Sequence, residues 1–161
     1  LRTASRLRRI VAAALTDRAV DDAAQVGPLL DQVADPIAAF LGDGAYDCLC
    51  VYADMQARHP EAAVVVPLRV GAVLSDTAET APTQRDRHLQ QIAEIGRLNW
   101  QRHSRYNLRA LVEAQIGRWK RIIGSTLRSH TAAAQTTEIA IAVEVLNRML
   151  DLGRPNSVRA A

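Results

Sequence analysis

Aromatic residues make up only 4% of this 161-residue chain, lysine occurs once, at Lys120, and no Asp or Glu precedes Asp17. With so few aromatics, any core must be built from Ala, Val, Leu and Ile. At 48% hydrophobic residues there is enough of such material to exclude a disordered chain. No apolar run is long enough to cross a bilayer and no signal-peptide pattern is found, so the expected setting is the cytoplasm, without membrane contact. The two cysteines, Cys48 and Cys50, stand one residue apart. That spacing suits neither a redox pair nor a zinc knuckle, and reduced thiols are expected. His59, His88, His103 and His130 are scattered without metal-ligand spacing, and there is no glycine-rich phosphate loop or nucleophile elbow. These absences exclude zinc, P-loop and serine-nucleophile chemistry.

What is present is positive charge. The formal net charge is +3, and nearly all of it is carried by Arg. Between Arg85 and Arg128 there are ten Lys or Arg and only three acids. Such a stretch suits a polyanion bound with strong salt dependence; its plain alternative is a solvated basic helix face.

The apolar pattern predicts alternating elements. Ile10 to Leu15 reads as a short strand. Asp21 and Asp22 open a helix with Val26, Leu29, Leu30 and Val33 on one face and Pro28 near its start. Ile37 to Leu41 reads as a second strand, closed by Gly42-Asp43-Gly44. A helix from about Ala45 to Arg58 stops at His59-Pro60, and Ala62 to Val66 is the clearest strand. Residues 67–83 read as a mobile loop. Helices are expected at Gln84 to Ile95, Asn107 to Leu127 and Ala132 to Leu152. The last is expected to be largely buried through Ile139, Val143, Leu146 and Leu150, with Val145 and Met149 beside them. Short helices between strands predict an α/β fold, a small and mostly parallel sheet flanked by helices.

Two carboxylates stand out. Asp43 follows an apolar strand between two glycines, and in open α/β sheets ligands gather at the carboxyl ends of strands. An Asp-Gly turn is the simpler account of it. Glu113 belongs to a constellation with Tyr106, Arg109 and Lys120, all within about 60° of arc on one helix. Alone, Arg109 and Glu113 would be a solvated ion pair worth a few tenths of a kcal/mol. Leu108, Leu111, Val112, Trp119, Ile122 and Ile123 lie opposite, so the helix is expected to pack by that side. Trp119 is then a core residue, with Trp100 the freer to stack on a base. Together the two acids suit hard divalent cations and phosphoryl chemistry.

The Tyr106, Arg109, Glu113, Lys120 spacing resembles the signature around the catalytic glutamate of bacterial insertion-sequence transposases of the DDE superfamily. The segment GDGAYD at Gly42 to Asp47 is similar to the block around that family's second catalytic aspartate. Val20 to Val33, the block VVVPLR at Val64 to Arg69, and VEVLNRMLDLGRP near the C-terminus also resemble it, in order, over about residues 10 to 155. The resemblance implies an RNase H-like fold and a two-ion Mg2+ or Mn2+ site. It implies cleavage at transposon ends and strand transfer into target DNA by a nucleoid-associated protein. Asp43 and Glu113 would be catalytic and metal-binding. Tyr106, Arg109, Lys120 and Arg69 would contact DNA.

The chain departs from the family at its start. The first acid should fall near Ala4, where the sequence LRTASRLRR has none. Residues 1–9 are therefore read as a disordered basic segment outside the family pattern, 10–155 as a partial catalytic domain and 156–161 as a tail. The expectation is a truncated transposase, with its N-terminal strands missing and inactive alone. A non-catalytic DNA-binding fragment is the alternative, acting as a homo-oligomer or by assembling with intact transposase. Another RNase H-like nuclease, such as a resolvase, gives no reason for Lys120.

Overall fold

A computed structural model describes residues 8–153 of the chain, so Ala4, most of the basic N-terminal segment and the tail lie outside the described residues. The described chain forms two compact units, residues 17–110 and residues 8–16 with 111–153.

The first unit opens at Asp21, whose carboxylate accepts a hydrogen bond from the Ala23 amide (3.2 Å) and starts a 3-10 turn over Asp22–Gln25. This turn runs into α1 (Val26–Leu30), shorter than expected, so Val33 falls beyond it. Strand β1 (Ala39–Leu41), a 3-10 turn over Gly44–Tyr46, helix α2 (Leu49–Arg58) and strand β2 (Ala63–Val65) follow. The strands are parallel, with Phe40 opposite Val64, which the crossover through α2 makes possible. Both strands were expected and both are shorter than their apolar runs. Ala23, Val26 and Leu30 from the first helical segment and Val51 and Met55 from α2 are buried with Ala62, Val64 and Val66.

The helix expected from Ala45 to Arg58 is broken. Cys48 is extended (φ −135°, ψ 136°) and caps α2, its sulfur accepting from the Cys50 amide at 3.2 Å. The same geometry puts the Cys48 and Cys50 Cα atoms 5.3 Å apart, inside disulfide range, and the structure joins the two cysteines. This corrects the expectation of reduced thiols. His59 ends α2 as expected.

A side chain closes the outer edge of β2. The Val64 amide donates to Gln84 Oε1 (3.0 Å), and Gln84 Nε2 donates to the Ala62 carbonyl (3.0 Å). One amide group thus satisfies two of the backbone groups that a third strand would otherwise take. Residues 67–83 contain no helix or strand, as expected, but they are pinned. Asp86 is 1% exposed and accepts hydrogen bonds from the amide and hydroxyl of both Ser75 and Thr83. The Thr83 pair is a capping box that starts α3 (Gln84–Ile95), an element found where periodicity put it. Gly96 (φ 79°) then turns the chain into α4 (Arg97–His103). The sequence reading missed this short helix because no side chain caps it. Trp100, within α4, is fully buried, which reverses the expected roles of the two tryptophans, since Trp119 is only half-buried.

The second unit holds α5 (Ala110–Ile122) and α6 (Ala132–Leu152). The expected strand at Ile10 to Leu15 is absent. Its middle is three alanines, poor strand formers, and Val11 is 66% exposed. Instead Asn147 grips one residue, accepting from the Ile10 amide (2.9 Å) and donating to the Ile10 carbonyl (2.8 Å). The helix expected from Asn107 is a 3-10 turn over Tyr106–Arg109 before α5 begins, because Arg105 is left-handed (φ 59°). It ends at Ile122, ahead of Gly124 (φ 124°). Neither helix is buried as expected. No residue of α5 is buried, and Leu108, Val112 and Ile122 stay exposed. In α6 only Ala142, Leu146 and Asn147 are buried, while Val145 and Met149 are exposed. Aliphatic periodicity marks these faces, but among the described residues of this unit too few large side chains meet to cover them.

Asp86 generates a stability prediction. The Thr83 hydroxyl first, then the Ser75 amide, outweigh burial and hold its carboxyl far below the ordinary carboxylate range. Its contribution is therefore complete above the unfolded-state value of about 4 and fades as pH falls toward the folded-state value. Asp86→Ala is expected to cost roughly 2–3 kcal/mol at pH 7 by leaving buried donors unpaired. In urea denaturation the deficit should shrink at low pH.

Candidate nucleic-acid and metal site

The turn that carries Asp43 is an extension of the sheet. The Gly42 amide donates to the Val65 carbonyl (3.3 Å), carrying the β1–β2 pairing one residue past β1. A Cβ on Gly42 would lie 3.0 Å from the Tyr46 side chain, so the chain passes too closely for a larger residue. Asp43 then caps the Gly44–Tyr46 turn, its Oδ1 accepting from the Ala45 amide at 2.9 Å. Its side chain is 45% exposed at the carboxyl end of a parallel strand. The turn reading and the ligand reading of this residue are thus compatible.

Arg109 reaches this carboxylate. Its Nη2 donates to Asp43 Oδ2 at 3.2 Å, across 66 residues of sequence. Tyr106, one 3-10 turn earlier, is half-buried and sets its ring 6.3 Å from that of Trp100. Trp100 in turn meets His88 edge-on at 5.3 Å. Burial, and then the nearby Arg87 charge, depress the His88 pKa, which favours a neutral imidazole.

Arg69 supports the turn from below. Its guanidinium donates to the carbonyls of Gly44 (3.1 Å) and Ala45 (2.9 Å), and its amide donates to Asp47 Oδ2 (2.8 Å). The Asp47 side chain is 1% exposed and also accepts from Arg85 Nε at 2.8 Å. Burial pushes the Asp47 carboxyl up, but the Arg85 hydrogen bond and the Arg69 amide outweigh it and hold the carboxyl below its usual value. Sequence reasoning missed Asp47 and Arg85 as a pair. Their only sequence signal was an acid inside the GDGAYD block, and the partner lies 38 residues away.

Glu113 and Lys120 are exposed on α5, in the second unit. Seven residues apart, they share a face of that helix, about 10 Å along its axis. The structure therefore brings Asp43, Arg109 and Arg69 to one turn, ties Tyr106 to Trp100, and aligns Glu113 with Lys120. Among the described residues no three His, Cys, Asp or Glu side chains gather to hold a metal ion. The Asp43 carboxylate is nonetheless an accessible hard-oxygen donor, the type that Mg2+ or Mn2+ takes.

A family model for the transposase DDE domain matches residues 2–148. The chain belongs to that family. No solved structure matches it. DDE transposases act by phosphoryl transfer on DNA and generally use divalent metal ions. In this DDE domain the described helices include none long and apolar enough to cross a membrane.

Truncating Asp47 should test how the Asp43 turn is held. Asp47→Ala leaves Arg85 and the Arg69 amide without their buried acceptor. A loss of roughly 3 kcal/mol is expected in chemical denaturation, with accelerated amide hydrogen exchange at Gly44 to Tyr46.

Proposed function

We propose that this DDE domain binds DNA through exposed basic residues of the stretch between Arg85 and Arg128, and that Asp43 and Glu113 are the second and third acids of its family's metal-binding set. The observation that carries the reading is Asp43 itself. It is an exposed carboxylate on a braced turn at the carboxyl end of a parallel strand, paired with the arginine of the Tyr106, Arg109, Glu113, Lys120 signature. An RNase H-like sheet is the architecture this implies, and the β1–α2–β2 unit supports it.

A divalent ion would supply Lewis acidity for phosphodiester chemistry, with Asp43 and Glu113 each offering a hard-oxygen donor toward it. The chain's own contribution is positional. Arg69 and Asp47 fix the turn, so the Asp43 carboxylate keeps one orientation. Arg109 and Lys120 present a planar fork and a point charge to backbone phosphates. DNA at the transposon ends and at the target is the substrate class, in bacterial cells and near the nucleoid, with assembly into homo-oligomers or with intact transposase.

The first acid is a separate matter. Residues 2–16 lie inside the family match and hold no Asp or Glu. On that ground the chain alone is proposed to bind DNA without cleaving or joining it. A DNA-binding role that needs no metal is the second reading, and the same acid-free segment favours it.

Affinity for duplex DNA should fall steeply with salt. Lys120→Ala should flatten the log–log salt dependence by about one phosphate contact. A salt-insensitive interaction would remove the DNA reading. Magnesium-dependent nicking by the purified chain that disappears in Glu113→Gln would show instead that its active site is complete.

A further inference from the structure

Each of the two Asp43 carboxylate oxygens has a partner. Oδ1 accepts from the Ala45 amide at 2.9 Å and Oδ2 accepts from Arg109 at 3.2 Å. The two oxygens are held in different ways. The Ala45 bond is local and belongs to the turn, which Arg69 clamps through the Gly44 and Ala45 carbonyls. Arg109 comes from a distant 3-10 turn, and its side chain is 32% exposed against 45% for Asp43. An ion pair this open to solvent is weak and readily exchanged. A guanidinium fork fits a phosphate as well as a carboxylate.

We propose that Arg109 alternates between the Asp43 carboxylate and a backbone phosphate of DNA, so that Asp43 restrains DNA binding until its charge is met by another cation. The proposal rests on the DNA-binding reading above and extends it. Asp43 cannot follow Arg109 away from the turn, because its own loop is fixed, so each guanidinium that turns to a phosphate leaves Oδ2 exposed. Reciprocity follows from linkage: whatever neutralises Asp43 raises the affinity of Arg109 for phosphate, and DNA bound through Arg109 opens Asp43 to a cation by the same factor.

The test is a mutant cycle on the full chain, read by fluorescence anisotropy of a labelled duplex at fixed ionic strength. Asp43→Asn keeps an oxygen for the Ala45 amide, so the turn is retained. Asp35→Asn removes an equal charge from an exposed position before β1, at the opposite end of that strand from Asp43. Circular dichroism confirms that the variants keep their fold. Asp43→Asn is expected to bind DNA about threefold more tightly than Asp35→Asn, as suits a weak surface pair. The extra gain should vanish when Asp43→Asn is made in an Arg109→Gln background. Magnesium should tighten binding by the parent relative to Asp43→Asn. Equal affinities for the two Asn variants, or an Asp43→Asn gain that survives Arg109→Gln, would overturn the exchange while leaving DNA binding intact. A parent chain that binds no DNA would overturn the functional reading, and the exchange with it.

Discussion

A single buried carboxylate, Asp47, ties together three segments that are remote in sequence. It receives the Arg69 amide from beyond β2 and the Arg85 guanidinium from the first turn of α3, while lying at the end of the turn that carries Asp43. Carboxylates are rarely buried without pairing, because desolvation disfavours the charged form. Here the compensation comes from both sides, and the arginine that supplies the amide also clamps the Gly44 and Ala45 carbonyls. The result is a turn held by charge and hydrogen bonds together with Tyr46, which packs against the core with its ring edge-on to Phe40 at 5.7 Å.

Elements set by local periodicity were legible in the sequence. The helices Gln84–Ile95 and Ala132–Leu152 begin at Thr83 and Thr131, whose hydroxyls accept from amides in the first turn, and end at Gly96 and Gly153. The two parallel strands announced themselves as apolar runs bounded by glycine and proline, the second of them rich in valine. What could not be read was anything that depended on one side chain reaching a distant backbone. Asn147 replaces the strand expected at Ile10 to Leu15, and Arg105 in a left-handed conformation turns the start of the Asn107 helix into a 3-10 turn. Burial was misjudged for α5 and α6 because a regular apolar stripe shows which side a helix would bury, not whether enough mass meets it.

The candidate site divides the same way. Asp43 was identified from its place after a strand, and Arg109 from its spacing to Glu113. That these two would meet each other was not legible, since the spacing argument paired Arg109 with its own helix. Arg69, expected to contact DNA, also clamps the carbonyls of the turn. A basic residue after a strand has two such uses, and composition does not distinguish them.

Gln84 has a further consequence for the sheet. The Val64 amide and the Ala62 carbonyl, two groups on the outer edge of β2, are both engaged by one carboxamide. An incoming strand would first have to evict a side chain that already makes both bonds. Pairing on this flank therefore carries the cost of displacing that carboxamide.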